Sequence, residues 1–351
     1  MMMDARLATH GHVSRTMARY DDRRLARLLE RQAVPLGTGI GGTSARLEVD
    51  GTSVFVKRVP LTEPELRHPH STADLFGLPP FCQYGIGSPR FGAWRELAAH
   101  TMTTEWVLKG RFGGFPLLYH WRVLPEAEPA PPYTDPADVD QAVTFWEGAP
   151  GVRRRLEALA QAPASLTLFL EYIPRNLNQW LQERVRAGDA DRACALADQG
   201  VRAAVSFLNT GGLLHFDAHF DNILTDGRRV YLTDFGQATS TRFELSPAEQ
   251  LFYHRHLTFD RTYTLTYLVN WLAGAFHGAD WPGRRVLVRG WAAGERPAGV
   301  PGEVAALLSR HSPLATVLND FYHALQRESR TTPYPLEEIR QVAARHALPL
   351  Q

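Results

Sequence analysis

LLHFDAHFDNILTDGRRVYLTDFGQA, residues 213 to 238, is the stretch from which the rest of the chain can be read. His215, Asp217 and Asn222 form the pattern H-x-D-x-x-x-x-N, and Asp234-Phe235-Gly236 begins 12 residues beyond the asparagine. Between them, Ile223-Leu224 and Val230-Tyr231-Leu232-Thr233 are apolar, β-favouring runs on either side of a turn at Asp226-Gly227. The spacing predicts a loop feeding a hairpin that carries a second aspartate towards the first. Two carboxylates and an amide gathered this way suit the placing of a hydroxyl nucleophile beside metal-bound phosphate.

These motifs resemble the catalytic and metal-binding loops of the protein-kinase-like superfamily. The resemblance implies roles by position. Asp217 would orient an acceptor hydroxyl and take its proton, and Asn222 and Asp234 would hold Mg²⁺ through hard oxygen donors. It also implies an α+β, two-lobed fold with a β-rich N-lobe and a mainly helical C-lobe, and ATP with Mg²⁺ as cofactors. On the residues alone, a helix-to-hairpin connection that merely carries these side chains is the competing reading.

The chain has 351 residues, enough for one large two-lobed domain or two ordinary ones. A hydrophobic content of 44% with 21% charged residues describes a globular protein, and a net charge of +1 gives no global field for nucleic acid or an anionic membrane. Cys82 and Cys194 stand far apart with no ligand pattern, which reads as free thiols in a reducing compartment. No apolar N-terminal segment or membrane-length run is visible, so the expected location is cytoplasmic.

Upstream of the motif, residues 1 to about 19 read as a loose arm, followed by a short amphipathic helix over 20–32 with a seam of Leu25, Leu28 and Leu29. That helix either packs on its own domain or docks a partner. The N-lobe is expected over 34–172. Gly37, Gly39 and Gly42 fit G-x-G-x-x-G, but a hairpin turn at Asp50-Gly51 follows the strand Leu47-Glu48-Val49, where a dinucleotide fold would need a helix. The arrangement is similar to the kinase lid whose backbone N–H groups cover ATP phosphates. Ser44 stands where that family usually has valine.

Lys57 ends the strand V-F-V-K in a chain with only one other lysine, Lys109. It matches the kinase lysine that pairs with phosphate oxygens as a compact point charge; an exposed strand-end lysine is the plainer alternative. Its partner would be Glu96, on a helix over 93–108 that also carries Glu105. Insertions are expected near 60–92 and 125–162, the first rich in proline, histidine and glycine, the second a proline-rich loop then a helical stretch. The last N-lobe strand, 165–172, leads to a hinge in which Glu171 and Ile173 offer backbone groups to the adenine edge.

The C-lobe is expected over 173–351. Residues 176 to 186 begin its body, and helices are predicted from 191 to 210 and 264 to 276, then near 301–310, 314–327 and 336–346. Asp260 either holds the catalytic loop's backbone, as its kinase counterpart does, or caps a helix.

Three departures bear on the substrate. Phe216 replaces the arginine of H-R-D, which argues against control by activation-loop phosphorylation. His219, two residues past Asp217, is similar to aminoglycoside phosphotransferases and choline-kinase-like small-molecule kinases; it would touch the transferred phosphoryl group or brace the loop. No A-P-E segment follows Asp234-Phe235-Gly236, Ser246-Pro247-Ala248-Glu249 being the nearest approximation. An intact D-F-G pulls towards protein kinases. Residues 173 to 351 carry nearly equal numbers of acidic and basic side chains, which does not single out a polycationic acceptor. The expectation is an ATP- and Mg²⁺-dependent phosphotransferase acting on a small-molecule hydroxyl. An atypical Ser/Thr protein kinase is the first alternative and a pseudokinase scaffold the second.

Overall fold

The structure, a computed structural model, describes residues 3–39, 42–85, 87–125 and 136–350. The chain divides into two compact units. One comprises residues 1–173 with 234–248, the other 174–233 with 249–351. The first carries the five-stranded sheet with its helices and the second is mainly helical: the two-lobed, protein-kinase-like α+β fold.

The first unit is built on a five-stranded antiparallel sheet in the order β1-β2-β3-β5-β4. Its strands are β1 (Val34–Gly39), β2 (Gly42–Val49), β3 (Thr52–Leu61), β4 (Leu118–Pro125) and β5 (Ala164–Glu171). Interior β5, ASLTLFLE, is buried at every position: Leu166, Leu168 and Leu170 alternate with Ser165, Thr167 and Phe169, so both faces of the strand are covered. The helix α4 (Ala93–Leu108) lays Ala93, Trp94 and Leu97 against Val59, Leu61, Leu166, Leu168 and Leu170 of the sheet. At Gly42, φ is +111° and a Cβ would come within 1.9 Å of the Arg58 carbonyl oxygen, so only glycine allows β2 to meet β3 there.

Residues 1–19, expected as a loose arm, instead hold a helix, α1 (Met3–Ala18), that packs on β4. Hydrophobic periodicity understates it because what it buries includes a charge, Arg6, beside Val13 and Met17. The helix α2 (Asp22–Gln32) buries Leu25 and Leu29 against β2 and β4 of the same unit.

The two stretches expected as insertions form one small core of their own. Phe76, Leu78, Cys82 and Phe91 pack with Val139 and Val143 of α5 (Pro136–Phe145), Trp146, and Val152 and Leu156 of α6 (Pro150–Ala160). Glu65, on the short helix α3 (Glu63–Arg67), ties them to the sheet. It is buried, accepts from Thr62 and from Ala93 N–H at the start of α4, and meets Arg155 of α6 at 2.8 Å. The proline-rich part of the second stretch, 126–135, lies outside the described residues, as do positions 40, 41 and 86.

In the second unit, β6 (Arg175–Asn176) and α7 (Leu177–Arg186) precede the long α8 (Ala190–Thr210). Short β7 (Leu213–Leu214) opens the motif stretch, and β8 (Ile223–Thr225) pairs with β9 (Val230–Leu232) as the predicted hairpin. The chain then enters the first unit from Asp234 to Ala248, through β10 (Thr239–Ser240), and returns along α9 (Pro247–Arg255). Helices α10 (Phe259–His277), α11 (Trp281–Ala292), α12 (Gly302–Arg327) and α13 (Leu336–Arg345) complete the unit. Where two helices were expected near 301–310 and 314–327 there is one, α12, with Pro313 inside it. The lost backbone bond is outweighed by burial on both sides of the proline, by Leu308, His311, Ser312, Leu314 and Ala315. Among the described residues no helix is long and apolar enough to cross a membrane.

Candidate active site

In the first unit, four charges converge. Lys57 on β3 is buried, and its Nζ donates to Glu96 Oε1 at 2.6 Å and to Asp234 Oδ1 at 2.8 Å. Glu96 is therefore the partner of Lys57; Glu105 turns to Lys109 on the surface. Glu96 itself is buried on the first turn of α4, whose N-terminus favours a carboxylate there.

The fourth member is Arg90, which the sequence did not single out. Its guanidinium lies 3.2 Å from Asp234 Oδ1 and 3.5 Å from Glu96 Oε2. Two features of the chain make room for it. Arg90 takes φ +59°, a left-handed backbone that non-glycine residues seldom adopt. Gly236 lacks the Cβ that would sit 1.8 Å from Arg90 Nη1. Sequence carried half of that signal, the glycine after Asp234-Phe235, but nothing tied it to an arginine 146 positions earlier. Burial alone would push the Asp234 carboxyl up. Arg90 and Lys57 outweigh it and hold the group well below the usual carboxylate range, so it is ionised at neutral pH.

Packing and the first insertion fix the segment around Asp234. The Phe235 ring is buried edge-on to His100 of α4 at 4.9 Å between centroids. Beyond it, Gln237 exchanges hydrogen bonds with Gly85 and accepts from Gln83 through its carbonyl. Glu244 accepts from Ser71 Oγ and Thr72 N, both at 2.8 Å. The stretch over 60–92 is thus the clamp on residues 234–248.

Of the glycines expected at the phosphates, Gly37, Gly39 and Gly42 lie on the β1–β2 hairpin, where Gly39 pairs with Gly42 and Ser44 Oγ donates to the Gly37 carbonyl at 3.2 Å. The tip between Gly39 and Gly42 falls outside the described residues. Glu171 ends β5. Its side chain is committed to Arg6 and to Leu117 N–H, and its own N–H to the Leu117 carbonyl. Ile173 closes the first unit's main segment.

In the second unit, the motif loop is held from beneath by Asp260, buried near the start of α10. Oδ2 accepts from His215 N–H at 2.7 Å and Oδ1 from Phe216 N–H at 2.8 Å. With its amide oriented to satisfy both neighbours, Asn209 adds a third donor to Asp260 at 2.9 Å. Burial pushes the Asp260 carboxyl up to about 6 against the pull of the two backbone N–H groups. Asp260 is therefore a loop holder. The α10 N-cap is Thr258, without a side-chain cap bond.

Asn222 Nδ2 donates to the Asp217 carbonyl at 2.9 Å and to its Oδ2 at 3.2 Å. That fixes the carboxylate and leaves the asparagine's amide oxygen as the atom a metal would take. His219 Nδ1 accepts from Asp221 N–H at 3.3 Å, which assigns its proton to Nε2, 3.8 Å from Asp217 Oδ1. His215 is buried with Nε2 2.8 Å from the Thr233 carbonyl.

Phe216, in place of an arginine, stacks on Phe259 at 4.7 Å and on Phe252 at 5.6 Å, with His256 and Tyr334 in the same cluster. An aromatic cluster occupies the position where a phosphate-answering cation would stand. Both cysteines are buried and free.

The structure thus brings Lys57, Glu96 and Asp234 together in one unit and Asp217, His219 and Asn222 together in the other. The two expected metal ligands, Asn222 and Asp234, belong to different units. Their donor set suits Mg²⁺: an ionised carboxylate and an amide oxygen, with no thiol or imidazole needed.

No family model matches the chain. A stretch of 87 residues, 24% of the chain, is 37% identical to the serine/threonine-protein kinase PKH2 of Saccharomyces cerevisiae. The chain spans about 8% of that protein's length. The likeness is partial, and with the fold it amounts to a kinase-like relationship.

Proposed function

We propose that this protein is an ATP- and Mg²⁺-dependent phosphotransferase that moves the γ-phosphoryl group to a hydroxyl of a small molecule. The observation that carries the reading is the Lys57–Glu96–Asp234 triad, with Lys57 and Glu96 buried and Asp234 half-buried, together with an Asp217 fixed by Asn222. A structural ion pair needs no second carboxylate on its lysine. A lysine shared between two carboxylates is poised to exchange one of them for phosphate oxygens.

When bound, Mg²⁺ would neutralise charge on the phosphates, with Asp234 and Asn222 as its ligands. Lys57, kept in place by Glu96, would pair with phosphate oxygens, and the Gly37–Gly42 hairpin would offer backbone N–H groups. Asp217 would take the proton that the acceptor hydroxyl loses as its oxygen bonds the γ-phosphorus and the bond from that phosphorus to the ADP oxygen breaks. His219 would brace the loop through Nδ1 with Nε2–H towards Asp217. Positioning and charge neutralisation carry the catalysis; no covalent enzyme intermediate is needed.

A small acceptor is supported by the aromatic setting of Phe216, which gives a phosphorylated activation loop no cation to answer. The second reading, a Ser/Thr protein kinase, is favoured by the partial likeness to PKH2. The test is ATP labelled at the γ-phosphorus, incubated with the protein alone, with generic protein substrates and with a panel of hydroxylated small molecules, Asp234→Ala serving as blank. Label on a small molecule establishes the reading. Label on protein alone, lost in the variant, replaces it with the second. No transfer to either, despite Mg·ATP binding, contradicts both.

A further inference from the structure

Within the second unit, α7, α10 and α11 border an open cavity of about 500 Å³, in the size range of small-molecule sites. Asn178, Gln182 and Arg186 line it from α7, Tyr267 and Trp271 from α10, and Arg284 from α11. Among the described lining residues there is no carboxylate.

The cavity shares its wall with the motif loop. Trp271 Nε1 donates to Asn178 Oδ1 at 2.8 Å, and Asn178 Nδ2 donates to Asp221 Oδ1 at 3.1 Å. The Phe220 ring packs on Tyr267 at 4.8 Å, and His219 lies 6.2 Å from the same ring. Burial raises the Tyr267 phenol, and the Asp221 and Asp217 carboxylates add to it, so the wall lies within electrostatic reach of both. Asp221, the acid beside the cavity, is engaged by the amides of Asn176 and Asn178.

The cationic side of the cavity is a built feature. Arg284 Nε is anchored on the Ala279 carbonyl at 2.8 Å, and its guanidinium passes over Gly274, where a Cβ would meet Nη2 at 2.7 Å. A guanidinium held by one nitrogen keeps its other N–H groups for a planar anion, the geometry arginine matches best.

We infer that this cavity binds the phosphoryl acceptor, and that the acceptor is a small hydroxylated organic anion, its carboxylate or phosphate held by Arg284 and Arg186 and its carbon frame laid against Trp271 and Tyr267. The inference rests on the proposed transfer reaction and deepens it: the anion would orient the acceptor so that a hydroxyl reaches Asp217.

The test is calorimetric titration of the full chain, without nucleotide, using D-gluconate, glucose 6-phosphate and glucose. The two anions separate a carboxylate from a phosphate preference, and glucose reports the uncharged frame. Saturable binding of at least one anion is expected, weakened about tenfold or more in Arg186→Gln/Arg284→Gln and also in Gly274→Ala, which keeps both charges but displaces the Arg284 fork. Mg·ATP binding should be unchanged in each variant, which separates a local effect from misfolding. No saturable anion binding, equal binding in the variants, or tighter binding of glucose than of either anion would overturn the inference. Anion binding without any phosphoryl transfer would keep the cavity and remove the transferase reading. Transfer to neutral alcohols that survives both variants would do the reverse.

Discussion

Arg6 on the first helix forks onto Glu171 at the end of β5, with Nε–Oε1 and Nη2–Oε2 distances of 2.8 and 2.7 Å, and both side chains are buried. The same guanidinium donates to the carbonyls of Gly113 and Phe115. Three segments distant in sequence therefore meet on one side chain. Removing one partner of such a pair strands a buried charge, so Arg6→Ala should cost about 3–5 kcal/mol. Lysine, which lacks the planar fork, should rescue little of it. Urea denaturation of the two variants checks this; a loss under 1 kcal/mol, as for a surface pair, would show that the helix is dispensable.

Arg90 competes with any cation for Asp234. Replacing it with glutamine should tighten Mn²⁺ binding, used as a paramagnetic stand-in for Mg²⁺, by about tenfold, one charge–carboxylate contact being worth roughly 1.4 kcal/mol there. Gly236→Ala should act in the same direction, because the new Cβ takes the space of Arg90 Nη1. Weaker Mn²⁺ binding in both would instead make Arg90 a support for the metal site.

Asp260 accepts two backbone N–H bonds from the loop that carries Asp217. Asp260→Ala leaves those donors buried and unpaired, at about 1–3 kcal/mol each, and should speed hydrogen exchange at His215 and Phe216 before it affects the sheet of the first unit. Unchanged exchange at those two amides would mean the loop holds itself.

His256, in the aromatic cluster around Phe216, is buried, and burial lowers its pKa to about 4. The ring is thus neutral in the fold, whereas the unfolded chain protonates it near the ordinary value of 6.5. The stabilisation from keeping it neutral is complete above pH 6.5 and is lost as pH falls from there through about 4. The loss amounts to roughly 3 kcal/mol at 1.4 kcal/mol per unit. His256→Phe should flatten that window in part; His311, also lowered to about 4, titrates in the same sense and remains. Stability measured from pH 7 to 4 in both proteins decides it, and parallel curves would place the acid sensitivity elsewhere.

Asp260 stood between loop holder and N-cap until its bonds to His215 and Phe216 decided it, whereas the motif loop, the hairpin after it, and Lys57 with Glu96 were legible in the sequence. Each is a short run with its own periodicity or a residue type chosen against the chain's habit. What escaped depends on distant contacts. Arg6 gave α1 no apolar stripe, because what it buries is a guanidinium whose partner lies 165 positions away. Arg90 is one arginine among many until Gly236 opens a place for it. The two insertions, one read as a long loop and the other as a proline-rich loop with a helical stretch, gave no sign of packing together because each supplies only half of the core they share. Pro313 reads as a break between two helices, since the burial that overrides it is tertiary.

The measurement that tests the central claim most directly pairs Mg·ATP binding with phosphoryl transfer in Asp217→Ala. If Asp217 takes the acceptor proton, transfer should fall about a hundredfold or more while Mg·ATP binding stays within about twofold. Equal loss of both would make Asp217 a structural residue of the loop, and full transfer in the variant would remove it from the chemistry altogether.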